Sequence, residues 1–231
     1  MRKFFTLTMM LLMICTTAFA EEVKPPIIAV SGEGSVEVEP NRATISVGVN
    51  TKAKDTSTVQ NANAKAAASV INSIVALGID RRNISTGKYN FSPVYRNKDD
   101  GRREIDGYEA NNSVTVIVDD LSLIGKVIDT ALAHGATNVN SLNFDLRDKE
   151  TYQDKALRLA VLDAKRKAEI AAAALGKNIV GVYHVLITSA SVNAPYSNKL
   201  MRSMEDSTAT PIESGTLECS AEVHVEFEIS K

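Results

Sequence analysis

Three times this chain writes the same phrase: a helical run ending in small residues, a glycine, then a strand. It reads Ala76-Leu77-Gly78 into Asn83-Ile84-Ser85, Ala133-His134-Gly135 into Asn138-Val139-Asn140, and Ala174-Leu175-Gly176 into Asn178-Ile179-Val180. A glycine just past the last helical turn takes the left-handed conformation that closes a helix, which residues with a Cβ resist. A strand that follows at once is half of an α/β unit. A chain that repeats this unit has to lay helices on sheets. The phrase describes scaffold, and no catalytic constellation stands out against it.

The N-terminus predicts export. Arg2 and Lys3 precede an apolar run from Phe4 to Cys15, and Ala18-Phe19-Ala20 is a small-x-small cleavage site. These parts together predict a secretory signal peptide over 1–20, followed by a polar leader over 21–26. The apolar run is short for a membrane anchor, and no later run is long enough to span, so no transmembrane segment is expected after cleavage. Lys and Arg number 26 against 28 Asp and Glu. Loss of Arg2 and Lys3 makes the balance more acidic, which argues against nucleic acid as a partner. Of two cysteines, Cys15 lies in the signal segment. Cys219 sits on the apolar parity of a strand with Leu217, Ala221, Val223, Val225, Phe227 and Ile229, where a thiol is inert packing. An intermolecular disulfide or a redox-sensing role is the alternative.

Alternation over Ile28, Val30, Val36 and Val38, then Ala43, Ile45, Val47 and Val49, predicts two strands joined by a proline-led turn. Gly32 and Gly34 interrupt the first and predict a bulge or a close backbone approach. Ser57 and Gln60 read as a capping box for a helix whose face is Val59, Asn63, Ala66, Val70, Ile74 and Leu77. Strands over Ile84 to Tyr95 and Tyr108 to Val118 flank a charged loop from Arg96 to Asp106. Asp119 or Asp120 caps a second helix; a short strand holds Leu142, Phe144 and Leu146. A long alanine-rich helix covers Thr151 to Leu175. Val180 to Thr188 is a strand, Ala190 to Pro211 an aperiodic loop, and a last strand runs from about Thr216 to Ile229. The order β-β-α-β-β-α-β-α-β-β defines an α+β fold with three helices and mixed sheets. It forms one domain over 27–231, divisible into lobes of about 27–118 and 119–231.

Candidate sites are few. His134, His184 and His224 are far apart. His134 precedes Gly135 at a helix end, which is a capping position. His224 lies between Glu222 and Glu226 on a polar strand face, with too little support for a closed metal site. No Gly-x-Ser-x-Gly elbow, P-loop or Cys-x-x-Cys occurs, so no catalytic, cofactor-binding or metal-binding residue is assigned. Tyr89, Phe91, Tyr95 and Tyr108 form an aromatic set across two strands. Intramolecular pairing explains it, and an interaction surface is the alternative. Met201 and Met204 are candidate oxidation-sensitive residues.

Val30-Ser31-Gly32-Glu33-Gly34 with Pro40 and Ala43, Gly107-Tyr108-Glu109-Ala110 with Val114-Thr115-Val116, the helix from Asp154 through Ala164 and Ala168, and Pro211 to Gly215 running into Val223 to Phe227 together resemble the SIMPL-domain family. The resemblance spans about Ile27 to Ile229. It implies a SIMPL-type fold in a periplasmic or envelope-associated protein with no established catalysis and no active-site motif to transfer. It also implies self-assembly into a homo-oligomer, as in some members, and a link to oxidative-stress tolerance, as in others. The functional expectation is a non-enzymatic, self-assembling periplasmic protein in envelope or oxidative-stress protection. The alternative is a periplasmic module that binds an envelope protein or small ligand through its loops.

Overall fold

The glycines that close the repeated phrase all take left-handed backbones, with φ of 92° at Gly78, 118° at Gly135 and 66° at Gly176. The computed structural model describes residues 25–99, 101–193 and 212–231. Within them the elements are β1 (Ile27–Val38), β2 (Arg42–Ala53), α1 (Thr56–Ala76), β3 (Ile84–Asn97), β4 (Arg103–Val118), α2 (Ile124–Ala133), β5 (Asn138–Asp145), α3 (Lys149–Ala174), β6 (Ile179–Asn193) and β7 (Leu217–Ile229). This is the α+β order that the sequence predicts. The signal segment, Met201, Met204 and the rest of the predicted loop beyond Asn193 as far as Pro211 lie outside the described residues.

The strands form two sheets, β3-β4-β2-β5 and β1-β7-β6. Every ladder is antiparallel, which corrects the expectation of mixed sheets. The reason is topological. Helix α1 joins β2 to β3 across the intervening β4, and α2 joins β4 to β5 across β2, the split β-α-β arrangement. No crossover therefore places two parallel strands side by side. The lobes drawn from the sequence cut across this partition, because β1 pairs with β7 at the far end of the chain.

Three local readings also change. Asp55, not the Ser57–Gln60 box, caps α1: its carboxylate accepts from the Thr58 amide at 2.8 Å and from the Ser57 hydroxyl at 2.8 Å. Asp120 caps a short 3-10 turn that leads into α2, while Asp119 pairs with Arg42 at 2.8 Å. The charged stretch from Arg96 to Asp106 is mostly strand rather than loop. Arg96 faces Glu104 in the ladder, and their side chains meet at 2.6 Å. The turn is closed by the Lys98 amide donating to the Arg102 carbonyl at 2.8 Å and the Gly101 amide donating to the Lys98 carbonyl at 2.9 Å.

Helices α1 and α2 cover one face of the four-stranded sheet. Ile45, Val47 and Val49 of β2 and Val114, Val116 and Val118 of β4 meet Val70, Ile74, Val127 and Ala131. Asn63 is the buried polar side chain of this core among the described residues. Its amide donates to the carbonyls of Val49 and Ala110 at 2.9 and 3.0 Å, tying α1 to two adjacent strands.

The second core is built differently. Helix α3 turns an unbroken row of alanines, Ala156, Ala160, Ala164, Ala168 and Ala172, into the three-stranded sheet. Two strand residues advance about 6.7 Å and four helix residues about 6.0 Å, so the glycines of β1 step past the helix in phase with the alanines. A Cβ on Gly32 would stand 2.1 Å from the Ala160 carbonyl oxygen, and one on Gly34 would stand 2.3 Å from that of Ala156. The β1–β7 register is unbroken from Ile27 to Val38. Of the two readings for these glycines, close backbone approach is therefore the right one, and no bulge forms.

Helix α3 also closes the open edge of β1. The Glu33 amide donates to Asp163 Oδ2 at 3.2 Å, and Lys167 Nζ donates to the Ser31 carbonyl at 3.0 Å. Asp163 further pairs with Arg166 at 2.6 Å and Lys167 at 2.7 Å. Hydrogen bonds from Lys167, Arg166 and the Glu33 amide hold its carboxyl well below the usual carboxylate range.

Two predictions follow from this contact. Gly32→Ala or Gly34→Ala should lower stability in urea unfolding by about 1–3 kcal/mol or more, the cost of overpacking a tight site. Gly181→Ala, where a Cβ meets nothing within 4 Å, should change it by less than about 0.5 kcal/mol. Because the Asp163 carboxyl is depressed, its contribution is complete above the ordinary carboxylate pKa of about 4 and is lost as pH falls below it. Asp163→Asn should therefore melt lower at pH 7 and lose less than the wild type between pH 6 and pH 3. Parallel melting curves across that range would refute the role.

Candidate functional site

The aromatic set runs along β3 and β4 toward the arm that their far ends form: Tyr89 lies opposite Asn112 within the sheet, and Tyr95 opposite Ile105 on the arm. Pro93 faces Tyr108 and Phe91 faces Ala110 in the register, which puts Phe91 and Tyr108 on neighbouring positions of one face. Their rings stack at a centroid distance of 5.8 Å with 19° between planes. Tyr95 receives the Arg103 guanidinium 4.8 Å above its ring centre. Tyr89 is 51% exposed and Ile105 equally so. The four aromatics thus split into a stacked pair, a cation-bearing tyrosine and a half-open tyrosine.

Charge pairs brace the arm. Lys98 and Arg96 both reach Glu104, and Lys54 reaches Asp106 at 2.6 Å. These hydrogen bonds lower the pKa of Glu104 and of Asp106. All of these groups face solvent, so they orient the arm more than they stabilise it.

The other sequence candidates fall on separate elements. His134 is the C-cap residue of α2, with Nδ1 2.8 Å from the Thr130 carbonyl, which is the capping role expected of it. His224 projects from the outer face of β7, with Nδ1 3.4 Å from Ser31 Oγ. Glu222 lies opposite Glu33, and Glu218 opposite Glu37, so that face is strongly acidic. Among the described residues no group of three or more His, Cys, Asp or Glu is arranged to hold a metal. Cys219 is buried in a small cluster with Leu146 and Leu217. Desolvation, and secondarily the charge of Asp145, pushes its thiol pKa up.

Sequence reasoning missed an open apolar surface. Strand β6 exposes Val180, Val182, Tyr183, Val185, Leu186 and Ile187. Leu162 and Ile170 of α3 are also exposed, the latter 60%. The signal was present: from Ile179 to Ile187 both strand parities are apolar and His184 is the one ionisable group besides Tyr183. Read simply as a strand from Val180 to Thr188, it gave no reason to ask what covers it.

The fold defines a class: an α+β protein of two antiparallel sheets, one with two helices and one with a single alanine-faced helix. Over residues 28–227 the chain matches SIMPL, described as a protein of unknown function (DUF541), and it belongs to that family. It is 29% identical to the 26 kDa periplasmic immunogenic protein of Brucella melitensis over 224 residues, 92% of this chain and 90% of that one. It is 26% identical to the uncharacterized protein YggE of Edwardsiella ictaluri over 95% of this chain and 93% of that one. With YggE of Escherichia coli strain K12 it shares 29% identity over 69% and 65% of the two chains. No helix of the described residues is long and apolar enough to cross a membrane.

Burial and the raised pKa predict a Cys219 thiol that reacts slowly in the native state. In a chain starting at Glu21, a thiol reagent at pH 8 should modify it at least about 100-fold more slowly than in denaturant. Equal rates would place the thiol at the surface.

Proposed function

We propose that this chain is a non-enzymatic periplasmic protein that self-assembles into a homo-oligomer, with a role in envelope or oxidative-stress protection. Apolar surface carries the assembly reading. A helix about 10 Å across covers roughly two strands spaced 4.8 Å apart, and α3 lies over β1 and β7 of a three-stranded sheet. Strand β6 is left with a run of half-exposed apolar side chains. Apolar patches of this extent mark interaction sites in soluble proteins. The signal-peptide pattern of residues 1–20 and the periplasmic name of the Brucella relative support the compartment.

A second reading rests on the arm. Tyr95 stands half-exposed on the braced hairpin and Tyr89 half-exposed further back along β3, a composition favoured at interfaces. This would suit a module that captures an envelope protein or small ligand.

Size exclusion with light scattering on the chain from Glu21 to Lys231 separates the two. A discrete particle of several chains supports assembly. A clean monomer at about 100 µM, a concentration far above a micromolar dissociation constant, removes it and moves the arm to the front. Tyr89→Ala with Tyr95→Ala should leave the particle intact under the first reading and abolish capture under the second.

A further inference from the structure

Four strands form the edges of the two sheets, and three of them are protected. The β1 edge is taken up by Asp163 and Lys167. β3 carries Pro93, which removes a backbone donor. β5 is only eight residues long. These are ordinary ways of preventing an edge from recruiting another strand. β6 is fifteen residues long and has no proline and no Lys, Arg, Asp or Glu. Its three register shifts curve it, and no strand among the described residues pairs with its outer edge.

Its side chains carry the stronger argument. On the α3 side, Val182, Val185 and Ile187 face Phe227, Val225 and Val223 of β7. Those three β7 residues are buried, whereas Val182 is 60% and Ile187 56% exposed. On the opposite side Leu186 faces His224 and is also exposed. Apolar residues on both faces are the pattern of a strand inside a sheet, covered above and below. β6 therefore has the sequence of a central strand in the position of an edge strand. Val180, Val182, Tyr183, Val185, Leu186 and Ile187 are all about half-exposed along one strand, a contiguous apolar row of the kind that fills the centre of a stable interface. The lack of charge offers nothing to a strongly charged partner and no repulsion to a copy of itself.

We propose that β6 pairs antiparallel with β6 of a second copy of this chain, joining two three-stranded sheets into one sheet of six. Two-fold pairing satisfies the open backbone groups of both strands and sets the uncovered apolar rows side by side. This assignment rests on the assembly reading above and names its surface.

The test uses the chain from Glu21 to Lys231 and two variants, Val185→Lys and Ile187→Lys, at positions already half-exposed. Light scattering should give a wild-type mass of two chains or more, and each variant should fall to half that mass or less with an unchanged circular-dichroism spectrum at 20 °C, its melting temperature lowered by loss of the partner. If the wild type assembles and both variants keep its mass, the β6 assignment is wrong and the assembly reading stands. A monomeric wild type overturns both. Hydrogen exchange on the wild-type particle covers the case of a variant that does not fold. Amides of residues 180–188 should then be protected as a block, as those of β7 are. Fast exchange at alternate β6 positions within an intact particle also overturns the pairing.

Discussion

The contact between two glycines and a row of alanines sets the geometry of the β1-β7-β6 lobe. Gly32 and Gly34 leave β1 without side chains where α3 crosses it, and Ala156, Ala160 and Ala164 leave the helix nearly without them. Backbone can then approach backbone, and the helix lies low over β1 and β7. Such an interface gains little from apolar area per residue and depends instead on dense dispersion contact, which a single added methyl disrupts. Closeness also lets Asp163 and Lys167 reach the β1 backbone, so the same approach that packs the core protects an edge.

The cost of that arrangement is width. One helix placed so close to β1 and β7 cannot also roof β6. The four-stranded sheet avoids the problem by using two helices, with Asn63 anchoring α1 across β2 and β4. The lobe's topology adds a second constraint, because its first strand pairs with its last. Pairings of such long sequence separation form late and leave edges exposed meanwhile, which makes the protection of β1 by α3 as relevant to folding as to the final structure.

Much of this was legible in the residues. The three helix-closing glycines, the order of elements and the alanine-rich helix are local signals, and local signals survive in a sequence. The close approach at Gly32 and Gly34 was legible as one of two options, since glycine in a strand marks either a bulge or a near neighbour. What was not legible was pairing. Alternation says which residues share a face and nothing about which strand lies beside which, so mixed sheets were expected where antiparallel ones occur. The stretch from Arg96 to Asp106 was misread because charge density resembles a loop until Arg96 and Glu104 are seen opposite one another. For the candidate sites, stacking of Phe91 on Tyr108 follows from cross-strand neighbourhood, whereas the exposure of β6 depends on how far α3 reaches, a tertiary fact.

The proposed β6 pairing makes this SIMPL-family chain a building block whose second lobe is completed by another copy, and under that proposal the dimer is the unit of any larger particle. Native mass spectrometry of the chain from Glu21 to Lys231 at tens of micromolar tests this most directly. The account predicts particles with an even number of chains and a dimer as the smallest species released on gentle dissociation. A monomer alone, or an intact particle with an odd number of chains, would contradict it.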